Sequence, residues 1–172
     1  MPIDSLLADL WRYHSKFQRI NAAAQKIDFQ TIIELSNEKL RLVEKLIAKK
    51  NENEITFELA GLNVICHALW AELIRSYGEK LLQTIAKRKT KGEEFAEIKR
   101  SVLKTIEDAK DEDEPLENLE HMFKDLVDYG EQITEKIDIE EHQNKQFWIG
   151  IILGFILGII ASIITYFVMP SK

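Results

Sequence analysis

The chain has 172 residues, room for one domain of ordinary size and an extra segment. Hydrophobic residues make up 45% of it, with only 7 Gly and 3 Pro, a composition that excludes a disordered chain. The formal net charge is -6, and the single cysteine, Cys66, excludes an intrachain disulfide. The first residues, Met1-Pro2-Ile3-Asp4-Ser5, lack the basic stretch and apolar run of a cleaved signal peptide.

The elements read as helices from the start. Ile3, Leu6, Leu10, Tyr13, Phe17, Ile20, Ala24 and Ile27 recur in steps of three and four, a heptad stripe with Asp4 or Ser5 as N-cap. The stripe faces either the protein's own core or a partner helix. A second helix starts near Asp28, carries Phe29, Ile33, Leu40, Val43 and Ile47 on one face, and closes in Lys49-Lys50-Asn51. A third starts around Asn53 with Leu59, Leu62, Cys66, Leu69, Leu73 and Tyr77, and Gly78 is placed to kink it. A basic cluster at residues 87–91 follows, and Thr90 with Glu93 has capping-box spacing for a fourth helix bearing Phe95, Ile98, Val102 and Ile106. Asp111-Glu112-Asp113-Glu114-Pro115 is the clearest break, and its acids and proline suit the N-terminal pole of the next helix. That fifth helix carries Leu116, Leu119, Phe123, Leu126, Ile133 and Ile137, with Gly130 its one weak point. The expected fold is all-α: a cytosolic, coiled-coil-like bundle of about five helices over residues 1–110, then an acidic juxtamembrane stalk over 111–146.

Residues 147–169 read FWIGIILGFILGIIASIITYFVM, without a charge. At 1.5 Å per residue they extend roughly 34 Å, enough for a hydrocarbon core of about 30 Å. Trp148 and Tyr166 stand where amphipathic rings favour the two interfaces, with Lys145 and Lys172 just outside them. Residues 170–172 form a short tail, so the layout is that of a tail anchor. Lys136 and Lys145 precede the segment and only Lys172 follows it, which favours a cytoplasmic N-terminal domain. Gly150, Gly154, Gly158 and Ser162 repeat every fourth residue, the spacing of a close-packing transmembrane helix face, and so imply a homo-oligomer.

Charge outside the anchor is uneven. Residues 1–110 are near balance, whereas residues 111–145 are dominated by Asp and Glu against Lys124, Lys136 and Lys145. Such a segment disfavours nucleic acid and an anionic leaflet. His14, His67, His121 and His142 are scattered. Glu117 with His121 and Asp138 with His142 stand one turn apart, but neither has the Glu-x-x-His spacing of a bundle metal site. Cys66 lies on the apolar stripe and reads as a small buried hydrophobe rather than a nucleophile. The acidic run lacks the glycine of a calcium loop, and no phosphate loop or nucleophile elbow occurs. The expectation is therefore a non-enzymatic protein without cofactor or metal. Its partners would be the bilayer, further copies of itself and a cytoplasmic protein. It would act as a membrane-tethered interaction or adaptor module, with an oligomeric membrane-disrupting or pore-forming effector as the alternative.

Overall fold

The computed structural model describes residues 2–87, 93–111 and 114–168; at 94, 140, 141, 144, 148 and 154–168 only the backbone is described. Among these residues there are five helices and no strand: α1 (Ile3–Lys26), α2 (Gln30–Lys49), α3 (Glu52–Lys87), α4 (Glu93–Asp108) and α5 (Leu116–Val168). The chain divides into two compact units, Met1–Gly130 and Glu131–Lys172.

The first unit is built around α3. The α1 stripe faces inward, with Leu6, Leu10, Phe17, Ile20 and Ala24 buried, so it serves the protein's own core. Pro2, not Asp4 or Ser5, is the N-cap; its carbonyl accepts from the Ser5 and Leu6 amides, and Asp4 falls in the first turn. At the other end Asp28 takes the left-handed conformation (φ 55°). The Phe29 amide donates to the Ala24 carbonyl at 2.9 Å and the Asp28 amide to the Gln25 carbonyl at 3.2 Å. That is a Schellman closure, and it delays α2 to Gln30.

α2 returns antiparallel to α1, because Asn21 meets Ser36 and Asn37 while His14 meets Glu44. Its buried face is Ile32, Ser36, Val43 and Leu46. Of the expected face, Phe29, Ile33, Leu40 and Ile47 are only half-buried. The rotation follows from Asn21, which donates to Ser36 Oγ at 2.9 Å, Asn37 Oδ1 at 3.0 Å and the Ile33 carbonyl at 3.2 Å. A buried amide needs partners, so the helix turns Ser36 inward to supply them.

α3 has 36 residues, about 54 Å of helix, and shares itself between two sets of neighbours. The Tyr13 hydroxyl donates to Asn63 Oδ1 at 3.2 Å, fixing α1 beside its first half. α4 lies against its second half: a Cβ on Gly78 would stand 2.7 Å from Ile106 Cδ1. α3 runs unbroken through Gly78, so this glycine does not kink the helix; it lets α4 approach. By length and composition α3 is also apolar enough to cross a membrane, although 33% of its most apolar stretch is buried within the protein.

The first unit does not end at residue 110. It includes the start of α5, where Leu119, Phe123, Leu126 and Val127 are buried. The Phe123 ring lies 5.8 Å from that of Trp70 and 5.9 Å from that of Tyr77, and a Cβ on Gly130 would collide with the Tyr77 hydroxyl. The stretch expected to begin a free stalk is thus bundle core up to Gly130, because its apolar residues recur at helical spacing and find α3. In the second unit, α5 continues without interruption through residues 131–168.

Candidate functional site: a groove between α1 and α5

Lys16 Nζ stands 3.8 Å from Glu117, and Arg19 donates to Glu120 Oε2 at 2.9 Å, so α1 and the start of α5 run parallel. Between Arg19 and Lys26, α1 offers α5 only the small side chains of Ala22 and Ala23, which leaves space between the two helices. The result is a groove of about 660 Å³. Trp70, Phe123 and Val127 line its depth, each nearly inaccessible to water. Arg19 and Lys26 stand on the α1 side, and Glu117, Glu120, His121, Lys124 and Asp128 on the α5 side. Apolar depth and charged walls give the groove the make-up of a binding cleft.

Cys66 is fully buried and its thiol is pushed up to about 12 by that burial, against a smaller lowering by Lys16. The thiol stays protonated near neutral pH, which removes its nucleophilic form. The neighbouring His67 turns elsewhere, its Nε2 lying 3.1 Å from the Glu114 carbonyl and tying α3 to the segment before α5. Glu117 and His121 both line the groove, and His142 pairs with Gln146 at 3.1 Å. Among the described residues no three His, Cys, Asp or Glu side chains are grouped to hold a metal ion.

The anchor candidates belong to the second unit. Gly150 is exposed, and a Cβ added there would meet nothing within 4 Å. The backbones of Gly154, Gly158, Ser162 and Tyr166 continue α5, so the four-residue spacing runs along a real helix. The side chains of Ser162, Tyr166 and Trp148 lie outside the described residues, as does the whole of Lys172; Lys145 is exposed. Phe147, Ile149, Ile151, Ile152 and Leu153 are each between 45% and 62% exposed.

Arg19, Trp70 and the groove itself were not singled out from sequence. The one available signal was the run Ala22-Ala23-Ala24, small residues that leave room beside a helix without saying for what. Neither protein-family models, nor curated proteins, nor solved structures match the chain.

Proposed function

We propose that the protein is a membrane-anchored helical interaction module, held in the bilayer by residues 147–169 with its bundle in the cytoplasm, and catalysing no reaction. The observation that carries this reading is the start of the apolar segment. Residues 149–153 go fully around the helix at about 100° per residue, and all of them are exposed. A helix apolar on every side with no protein cover needs lipid or another chain around it. The uncharged sequence then continues long enough to span a hydrocarbon core, and α5 is helical through Val168.

The Gly150-Gly154-Gly158-Ser162 face supports self-association within the bilayer, where close backbone approach is the main source of helix pairing. Ser162 and Thr165 are the only polar side chains in the span apart from its interfacial Trp148 and Tyr166, a poor lining for a water-filled channel. The groove between α1 and α5 is the surface assigned to a cytoplasmic partner.

The test is fractionation of the full chain and of a variant lacking residues 147–172. The full chain is expected in the membrane fraction after carbonate washing, and the shortened one in the soluble fraction with helical circular dichroism. A full chain recovered in the soluble fraction overturns the reading. Dye leakage from vesicles carrying the full chain would replace it with a membrane-disrupting one.

A further inference from the structure

α3 presents a second apolar surface on the side away from the groove and the core. Taking 100° per residue, Leu62, Cys66, Leu69 and Leu73 gather on its buried side, and Phe57, Gly61, Val64 and Ala68 fall opposite. Phe57 is 82% exposed and Val64 67%. Gly61 and Ala68 are exposed and Ala71 is half-buried. The steps through 57, 61, 64, 68, 71 and 75 alternate four and three, the spacing of a helix-pairing seam, and no charge lies on the seam before Arg75. Arg75 stands five turns from Phe57 and so on the same side of the helix. Its guanidinium is held in place by Glu72, at 2.6 and 2.9 Å, and by Glu79 at 3.0 Å.

We propose that a second copy of this chain docks on this stripe, the two α3 helices lying antiparallel about a two-fold axis between Val64 and Ala68. Reversal makes the stripe self-complementary. Phe57 of one copy meets Arg75 of the partner subunit, a preoriented guanidinium against an aromatic face. Gly61 meets Ala71, and Val64 meets Ala68, so the small residues allow the helices close together. A parallel pair would instead set Arg75 against Arg75. A lipid surface is disfavoured because Glu54, Glu58, Glu72 and Glu79 flank the stripe and repel an anionic leaflet. An interface of this kind is isologous, the commonest symmetry for a dimer. It is separate from the glycine face of the anchor and does not depend on it.

The experiment uses the full chain in its membrane, in two tagged forms carrying Gly61→Cys and Ala71→Cys. Cys66 is buried and contributes no background. Mild oxidation of the mixture is expected to give a disulfide-linked heterodimer at least about fivefold above either form alone, persisting with Gly154→Leu in the anchor and lost with Val64→Glu. Crosslinking of Gly61→Cys to itself at the same level as in the mixture overturns the antiparallel arrangement. A signal that survives Val64→Glu, or no signal while Gly154-dependent association persists, overturns the interface. Lipid as the occupant would show as no crosslink together with quenching of a spin label at position 64 by oxygen dissolved in the bilayer. Failure of the membrane reading shows separately, as a full chain absent from the membrane fraction.

Discussion

Asn51 stands between two helices and serves the second. Lys50 before it is left-handed (φ 53°) and returns its amide to the Leu46 carbonyl at 3.1 Å, closing α2. The Asn51 side chain then accepts the Glu54 amide at 3.3 Å, and its carbonyl accepts from Ile55, opening α3. Asn51→Ala is expected to cost about 1 kcal/mol in a denaturant melt, the usual worth of an N-cap. Cys66 makes the second residue-scale prediction. Its folded thiol titrates near 12 against an ordinary 9.0, so the folded state holds the proton after the unfolded chain has lost it. Stability tied to this group is intact below pH 9 and falls as pH rises toward 12. Thiol reagents at pH 8 are accordingly expected to label Cys66 only at the rate of unfolding. Rapid stoichiometric labelling of the native protein would contradict its burial.

Helix pairing is decided by a few close approaches. A Cβ on Gly78 would press on Ile106 Cγ1 at 2.8 Å and touch Val102 Cγ1 at 3.5 Å. Gly78→Val forces α4 outward and is expected to cost about 1–3 kcal/mol, as overpacking does, while leaving helix content unchanged by circular dichroism. Phe123 does the corresponding work for α5. Phe123→Ala removes a buried ring lying against both Trp70 and Tyr77, an expected loss of about 3–5 kcal/mol. Hydrogen exchange should then quicken first in residues 116–130, with α1 and α2 protected longer. The Lys16–Glu117 and Arg19–Glu120 pairs do not replace that ring, since surface ion pairs contribute about 1 kcal/mol or less. The Asn21 cluster adds specificity between α1 and α2: Gln25 donates to Asn21 Oδ1 at 2.6 Å, so both ends of the buried amide are engaged. A one-turn slip of α2 would leave that amide without Ser36 or Asn37.

For the whole molecule, the compact unit Met1–Gly130 contains its own core, and the apolar segment belongs to the other unit. A chain without residues 147–172 is therefore expected to melt in one cooperative transition, observed by circular dichroism and calorimetry. A broad, non-cooperative melt would mean that residues 147–172 contribute to the fold. Mean hydropathy averages over the sides of a helix: α3 is as apolar as a membrane span, with 33% of its most apolar stretch buried within the protein. Its apolar residues serve two surfaces: a buried side against the other helices, and the outer stripe from Phe57 to Ala71. Length and composition do not separate these two sides of α3; burial marks the side that is core and leaves the outer stripe exposed.

Helix positions and the all-α class were legible in the sequence, because three-and-four spacing of apolar residues reports one local geometry. The α1 stripe and the buried Cys66 follow from that spacing alone, and the break before Leu116 from the acidic run and Pro115. The sequence alone also carries the uncharged run at 147–169, since a missing charge needs no neighbour to be seen. Tertiary structure decided which neighbour each stripe meets. It turned α2 to satisfy Asn21, gave Gly78 and Gly130 to close packing, and drew residues 116–130 into the bundle. It also placed Ala22 and Ala23 over Trp70 to leave a groove. The physical reason is common to all four: periodicity fixes which side of a helix is apolar, but contacts between residues far apart in the chain depend on volume and hydrogen-bond partners that no local pattern encodes.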